Sequence, residues 1–392
     1  SHRRIFEEAF AAAGIDAPRR IVVVTDPGSP LEALATEAGY RRFTADPHVG
    51  GRYSALTAFG LVPAGLAGTD IGGLLDGAAS AAPLLSADST DNPALWLAGA
   101  WAEAHARGAE KVVLGDTGSG IPGFAAWAEQ LIAESTGKQG TGLLPVVVES
   151  ADAPGFADAG GDATPVAIGP VAGNASLSTT GSLGGLFLLW EYATAIVGRL
   201  LGINPFDQPD VETAKKAARS LLDAPNTSGA AVPALVFGPV EVHASAGWRP
   251  QGATLAEVLG HFLRLTPEHG YLAVQAYLDR LDDASAAVLR RELARVSGLQ
   301  TTFGWGPRYL HSTGQYHKGG HQNGVFLQIT GVVRKDLAVP GRPYTLGTLQ
   351  LAQALGDGRV LAERGRPVLR LHLSDRAAGL VELSKAMGEI PW

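Results

Sequence analysis

The chain has 392 residues, a hydrophobic content of 46% and a formal net charge of −7. This length accommodates two or three domains with buried cores, and an acidic balance without a basic run argues against a nucleic-acid partner. The absence of cysteine excludes a disulfide framework, a thiolate nucleophile and a zinc–thiolate site, and it suits a reducing cytoplasm.

The first half of the chain alternates helical and strand patterns. Helices are predicted at 4–13, 30–38, 93–107, 124–134, 184–201 and 209–223, strands at 21–25, 41–44, 111–114 and 143–149, and a long loop at 150–182. This alternation predicts an α/β fold, doubly wound, with parallel-sheet domains and helices on both faces. The apolar stretch 183–202 contains Glu191 and Arg199, which favours a buried helix over a membrane span.

The second half predicts a further α/β unit after a linker at 225–229. Strands are expected at 233–243, 325–330 and 368–373, and helices at 254–265, 270–281, 284–297, 345–355 and 376–387. We therefore expect three domains, at 1–75, 76–224 and 230–392. The first of these lacks the opening strand and phosphate-binding turn of a parallel-sheet domain, so we expect its beginning to lie upstream of this sequence.

A glycine turn is the most informative local feature. Residues 46–60 contain Gly50 and Gly51 followed by Arg52, Ser54 and Thr57. Adjacent glycines allow a sharp turn and close approach of a ligand, and arginine offers a planar fork of donors for anionic oxygens. The segment predicts an anion-facing turn, although an ordinary glycine loop with a surface arginine fits the same residues.

The helix at 124–134 presents a carboxylate on its apolar face. At 100° per residue Glu134 falls about 20° from Trp127, whereas Glu129 is expected to point into water. A carboxylate in apolar surroundings should have a raised pKa, as a general base near neutrality requires. The alternative is a partly buried glutamate that caps a neighbouring turn.

The predicted helix at 209–223 places Lys215 on an apolar stripe with Val211, Ala218 and Leu222. A lysine in this position is either functional or snorkels its charged end into water. Three further candidates, His311, His317 and His321, lie within eleven residues. Their spacing, on a glycine-rich loop without cysteine or clustered carboxylates, argues against a metal site.

These strings together resemble signatures of the glucose-6-phosphate isomerase family. They are Val49–Ser54 (Val-Gly-Gly-Arg-Tyr-Ser), Gln130–Lys138 (Gln-Leu-Ile-Ala-Glu-Ser-Thr-Gly-Lys), Asn204–Lys215, and Leu310–Tyr316 (Leu-His-Ser-Thr-Gly-Gln-Tyr). In the family the histidine string follows the catalytic glutamate by about twenty residues, but here it lies in the third predicted domain. The displaced string is similar to that of actinobacterial proteins in which an isomerase unit follows a transaldolase barrel.

The resemblance implies a sugar-isomerase-type fold and interconversion of glucose 6-phosphate and fructose 6-phosphate in glycolysis and gluconeogenesis. It implies Glu134 as the base, Arg52 as the enediolate-stabilising cation, and His311 with Lys215 as the ring-opening pair, with His317 as the competing histidine and His321 a weaker one. Substrate-binding roles are expected for Gly50, Gly51, Gln208 and Gln315.

The same resemblance implies a cytoplasmic homodimer that acts on a sugar phosphate without metal or organic cofactor. A covalent fusion to an upstream transaldolase domain is a further expectation. Two other readings remain open for this chain. Under the first reading the chain is a sugar-phosphate-sensing module that kept the fold. Under the second it is a catalytically incompetent, structural half of a larger fused enzyme.

Overall fold

The structure is a computed structural model that describes residues 1–210, 217–222, 232–245 and 247–391. These residues divide into two compact units. Unit one comprises Ser1–Trp96, Gly181–Ala193 and Asp336–Leu346, and unit two comprises Leu97–Thr180, Thr194–Lys335 and Gly347–Trp392. The predicted boundaries at 75 and 230 are not those of these units, and the three-domain division stays a prediction.

Unit one contains a small parallel sheet with helices. Strands β1 (Val22–Thr25) and β2 (Arg41–Thr44) pair in parallel, and the helices α1 to α4 are His2–Ala12, Pro30–Glu37, Ala58–Leu66 and Ile71–Leu85. Side-chain caps start three of them: Ser29, Thr57 and Asp70 each accept a hydrogen bond from a backbone N–H of the first turn.

The first sheet of unit two is parallel and has the order β4–β3–β5–β6. Its strands are β3 (Lys111–Asp116), β4 (Leu144–Val148), β5 (Ala163–Ile168) and β6 (Leu177–Thr179). Helix α5 (Pro93–Ala106) precedes β3, α6 (Phe124–Thr136) connects β3 to β4, and α7 (Leu183–Leu200) follows β6. Because α6 connects two neighbouring parallel strands, it crosses over the sheet and packs against β3 and β4.

The second sheet of unit two has the order β10–β9–β11–β12–β8–β7. Its strands are β7 (Leu235–Phe237), β8 (Val240–Ala244), β9 (Tyr271–Tyr277), β10 (Gln300–Trp305), β11 (Gly324–Gly331) and β12 (Val368–Leu373). The helices are α8 (Leu255–Leu263), α9 (Val288–Ser297), α10 (Thr313–Gly319), α11 (Leu346–Glu363) and α12 (Arg376–Gly388). Strand β8 pairs antiparallel with β12 and β7, and the remaining pairs are parallel.

Two apolar clusters stabilise unit two. One fills the space between the second sheet and helices α8, α9 and α12. The other contains Val113 and Val146 of the first sheet, Ala133 of α6, and Tyr271 and Phe326 of the second sheet. Each Å² of apolar area removed from water stabilises the folded state by about 25 cal/mol. The second cluster therefore stabilises the packing of the two sheets of unit two against each other.

The α/β class with parallel sheets is confirmed, whereas four element predictions are wrong. The single strand predicted at 233–243 is two antiparallel strands, β7 and β8. Residues 270–281 form strand β9 instead of a helix, and the predicted loop 150–182 contains β5 and β6. The glycine-rich segment at 309–320 is helical, with a 3₁₀ turn at Arg308–His311 followed by α10. The predicted linker at 225–229 lies outside the described residues. Of the predicted helix at 209–223, residues 209–210 form a turn, 217–222 are helical, and 211–216 and 223 lie outside the described residues.

Among the described helices, α7 is long and apolar enough to cross a membrane by length and composition. In the structure 39% of its residues are buried in the protein. Fewer than half of its residues are buried, so the buried helix stays a prediction.

Candidate active site

The glycine turn in unit one forms a 3₁₀ turn at Gly51–Tyr53 that buries Arg52 to 4% exposure. The Ser54 hydroxyl donates to the Gly51 carbonyl at 2.6 Å and closes the turn. The Arg52 guanidinium lies 5.5 Å from the centre of the Tyr53 ring, a cation–π distance. Gly50 has φ −65° and ψ 153°, an extended conformation that any residue can adopt.

The space beside these two glycines is open. A Cβ atom added to Gly50 or Gly51 would meet no atom within 4 Å, whereas one added to Gly60 would lie 2.1 Å from the Ala55 carbonyl oxygen. The fold therefore requires glycine at 60 but not at 50 or 51. A bare backbone beside a buried arginine leaves room for a ligand to approach closely.

Helix α6 carries Glu134 at its C-terminal end, half-buried. The Gln130 amide, one turn earlier, donates to the Glu134 carboxylate at 3.2 Å. Helix α6 is followed by Gly137, whose added Cβ would lie 2.4 Å from the Tyr316 Cα. Glycine is therefore required where α10 comes closest to the end of α6.

The expectation that Glu129 points into water is wrong. Its side chain is buried, and its carboxylate accepts a hydrogen bond from Ser312 Oγ at 3.0 Å, with the Arg308 guanidinium at 3.8 Å. Burial raises the pKa of Glu129 to about 7, opposed by the charge of Arg308 and the Ser312 hydrogen bond. The physical reason is that α6 is covered on two sides, by its own sheet and by the segment that carries α10.

Gln315 joins two of the predicted motifs through its buried side chain. Its Nε2 donates to the Gly137 carbonyl and to Asp210 Oδ2, each at 2.8 Å, and its Oε1 accepts from the Asp210 N–H at 3.1 Å. Both ends of the amide are thus used by protein partners, and the residue is 0% exposed. These contacts give Gln315 a structural role here, and its predicted contact with substrate remains a prediction.

Lys138 closes the glutamate motif, and the sequence patterns assigned it no role. It is buried and donates through Nζ to the Asn204 carbonyl and to Asp207 Oδ1, each at 2.7 Å. The end of the glutamate motif is therefore tied to the Asn-Pro-Phe-Asp-Gln string. Gln208 of that string is exposed, and Lys215 lies outside the described residues.

The three candidate histidines lie in different environments. His311 is exposed at the end of the 3₁₀ turn. His317 is 1% exposed and stacks on Tyr271, whose hydroxyl lies 3.0 Å from His317 Nδ1. Burial, then the charges of Lys318 and Arg366, hold the pKa of His317 well below its ordinary value. His321 pairs with Glu110 at 3.1 Å.

Three sequence motifs that are far apart in the chain therefore meet in unit two. Helix α10 packs on α6, and the N–H of Gly140 donates to the Gly319 carbonyl at 2.8 Å. The segment before Lys215 docks on the same elements through Asp210. Arg52 belongs to unit one. The parallel-sheet architecture is that of an α/β fold of the sugar-isomerase type.

Comparison with known proteins finds relatives named glucose-6-phosphate isomerase. The chain is 35% identical over 279 residues to the glucose-6-phosphate isomerase of Symbiobacterium thermophilum, covering 57% of this chain and 62% of that protein. It is 31% identical over 281 residues to a probable glucose-6-phosphate isomerase of Haloarcula marismortui, covering 58% of this chain and 64% of that protein. Over somewhat more than half of its length the chain is therefore similar to glucose-6-phosphate isomerases.

The chain spans less than two thirds of the length of these relatives. No family model matches it. Among solved structures, a hypothetical protein of Thermus thermophilus is 14% identical and aligns with a TM-score of 0.30 over 83% of this chain and 89% of that chain. This score is too low to support an argument about the fold.

Proposed function

We propose that the chain interconverts glucose 6-phosphate and fructose 6-phosphate as an aldose–ketose isomerase. The observation that carries this proposal is the convergence of the glutamate motif, the Asn204–Asp210 segment and the histidine motif in unit two, through Gln315, Lys138 and the packing of α10 on α6. Such a convergence of chain-distant segments is typical of a catalytic site.

Glu134 is the proposed general base. It takes the proton from C2 of the open-chain aldose, which leaves a cis-enediolate with its negative charge on O1. A proton then moves from the C2 hydroxyl to O1, Glu134 returns its proton to C1, and the C2 carbonyl of the ketose forms. The half-buried position of Glu134 supports this role, since a base must be partly shielded and still reach its substrate. Gln130 holds the carboxylate by the hydrogen bond at 3.2 Å.

Arg52 is the proposed stabiliser of the cis-enediolate. A buried guanidinium whose turn is closed by Ser54 is preorganised, so it can stabilise developing negative charge at little cost of reorganisation. The open space beside Gly50 and Gly51 supports their role in substrate binding, because nothing in the surrounding protein requires glycine at either position.

His311, with Lys215, is the proposed ring-opening group. Its exposure favours it over His317, which is enclosed by Tyr271 and other aromatic rings and cannot reach a substrate without unpacking. His311 follows Arg308 and precedes Ser312, and both of these contact Glu129 on α6. The contacts on either side hold the histidine segment against the helix that carries the base.

The first experiment is a coupled assay of fructose 6-phosphate isomerisation by the chain and by Glu134→Gln. Loss of a general base typically lowers the rate by about 10²–10⁴-fold. Glu103→Gln, which changes an exposed glutamate of α5, is the matched control and should retain full activity. Near-normal turnover by Glu134→Gln would refute the assignment.

The second experiment separates ring opening from proton transfer. A tetrose 4-phosphate lacks the hydroxyl needed to close a five- or six-membered ring, so its isomerisation requires no ring-opening group. His311→Ala should therefore lose more activity on glucose 6-phosphate than on the tetrose phosphate. Equal losses on both substrates would remove His311 from ring opening.

The same assays test the two other readings. A sensing module would bind the sugar phosphate without turnover, and a catalytically incompetent half would gain activity only when a longer chain is supplied. We further propose a homodimeric, cytoplasmic protein, following the family resemblance, with a covalent transaldolase fusion in the intact protein. Light scattering of the purified chain measures the oligomeric state directly.

A further inference from the structure

A cavity of about 490 Å³ lies in unit two between helix α11 and strands β8, β11 and β12. The cavity also has apolar lining residues, among them Leu355, and its polar lining residues are His243, Ser245, Gln328, Arg359, Glu363 and Arg370. Its volume falls in the range of small-molecule sites, about 300–1,000 Å³. No candidate catalytic residue lines it.

The strand register explains why the cavity is polar. Arg370 of β12 lies opposite His243 of β8 on one side and Gln328 of β11 on the other. Side chains directly opposite in neighbouring strands share a face, so these three form one row. The opposite face of the same sheet carries apolar residues of the core, and the polar row therefore faces α11.

Helix α11 comes unusually close to this row. A Cβ added to Gly358 would lie 2.9 Å from Gln328 Oε1. Gln328 is 1% exposed, and its amide donates to the Ala354 carbonyl at 3.2 Å. The Gln328 amide, held by this hydrogen bond to α11, therefore forms the floor of the cavity.

Arg370 is a half-buried cation without a counter-ion within the described ranges. Its guanidinium makes no hydrogen bond or ion pair there, and the charge of Glu241 acts on it from more than 4 Å away. Glu363 lines the same cavity, but it is paired with Arg359 at 2.8 Å. At and beside the cavity two arginines, Arg359 and Arg370, thus stand against the carboxylates Glu363 and Glu241, and Arg370 is the arginine whose donors are not taken by a carboxylate of the described residues.

His243 adds a neutral polar group to the site. Burial, then the charge of Arg370, lowers the pKa of His243 to about 4, so its ring is neutral at pH 7. Its Nε2 has no hydrogen-bond partner among the described residues, although Glu241 Oε2 lies 3.5 Å away. A buried polar atom in this state gains free energy from a ligand that supplies a partner.

We propose that this cavity binds a small organic oxyanion, with Arg370 as the anchor for its phosphate or carboxylate group. A guanidinium presents two parallel donors to such a group and binds it bidentately. Leu355 and the neighbouring apolar residues contact the carbon part of the ligand. The site is separate from the proposed isomerase chemistry and does not depend on it.

The absence of cysteine from the chain allows a local test. Ala362→Cys places a single thiol on the α11 wall of the cavity, and its alkylation by the neutral reagent iodoacetamide is timed with and without inorganic phosphate or acetate at constant ionic strength. Bound ligand should slow the reaction by the factor that mass action gives, about fivefold at four times the dissociation constant.

Two further variants localise the effect. Adding Arg370→Gln to Ala362→Cys should abolish the protection, and a thiol at the exposed position of Ser80→Cys should show none. Stronger protection by phosphate identifies a phosphate ligand, and stronger protection by acetate identifies a carboxylate. Absence of protection by both anions, or protection that survives Arg370→Gln, would overturn the proposal.

Should Ala362→Cys prevent folding, phosphorus NMR supplies the same comparison. Saturable line broadening of inorganic phosphate by the unaltered chain should be lost in Arg370→Gln and retained in Arg295→Gln, which removes an exposed arginine paired with Glu292. Broadening of equal strength in all three proteins would refute the anchor role of Arg370.

Discussion

Replacing Glu129 by glutamine should change how stability depends on pH. The glutamine keeps an oxygen that accepts from Ser312 but removes the carboxyl that titrates. In the folded protein, burial raises the pKa of Glu129 from 4.5 to about 7. Between these values the folded chain binds more protons than the unfolded chain, so stability falls as pH rises.

The magnitude follows from the size of that difference in pKa. Each pKa unit corresponds to about 1.4 kcal/mol, so the full effect of Glu129 is of order 3 kcal/mol, lost between pH 4.5 and about 7. For a domain of this size about 1 kcal/mol shifts Tm by about 2–4 °C. The Tm of the unaltered chain should therefore fall by at least about 5 °C more than that of Glu129→Gln over this interval.

Differential scanning calorimetry at pH 5, 6, 7 and 8 measures this difference, with the unfolding transition of unit two compared between the two proteins. Glu191, whose pKa burial raises to about 8, is present in both and cancels. Glu103→Gln, an exposed control, should follow the unaltered chain. Parallel Tm curves for Glu129→Gln and the unaltered chain would refute the reasoning.

Three further outcomes are expected. Gly51→Ala should leave Tm within about 2 °C, since its Cβ occupies only open space, but it should lower turnover in the coupled assay by about tenfold or more. Gly60→Ala should instead lower Tm sharply. A Gly51→Ala protein with normal turnover and a lowered Tm would contradict the proposed substrate approach. Gln315→Leu leaves the Gly137 carbonyl and the Asp210 N–H without their partner. This loss should cost about 2–4 kcal/mol in the free energy of unfolding measured with urea. A loss below about 1 kcal/mol would argue against the structural role of Gln315. His317→Phe should remove part of the stability loss seen as pH falls below 6.5, because the histidine is held neutral in the folded state; Tm measured at pH 5 and 7 checks this, and an unchanged difference would contradict it.

Much of the element order could be predicted from periodicity alone. Strand β3 is a short apolar run between polar segments, and α6 repeats apolar residues at helical spacing. Both are local signals, carried by residues within one element. Strands β1 and β12 were predicted for the same reason, and their observed bounds differ from the expected ones by a residue at most.

The errors have identifiable physical causes. Strand β9 is a central strand of its sheet, and all seven of its residues are buried, so both of its faces are covered and it lacks the alternation of a surface strand. Its leucine and alanine residues also favour helix. Strand β5 contains Pro165 and follows a glycine-rich segment, which are signals of a loop.

The burial of Glu129 could not be predicted from the residues near it in the sequence. Glu129 and Glu134 are five positions apart and so point about 140° away from each other on α6. The helical periodicity identifies an apolar face against the sheet, but a second cover on the opposite face leaves no local trace. That cover comes from Ser312, 183 positions away along the chain. Contacts at that separation are set by how the two sheets of unit two pack, and packing decides which of the two carboxylates is buried. The packing of the histidine motif on α6, and not the sequence neighbours of Glu129, is therefore what buries this carboxylate.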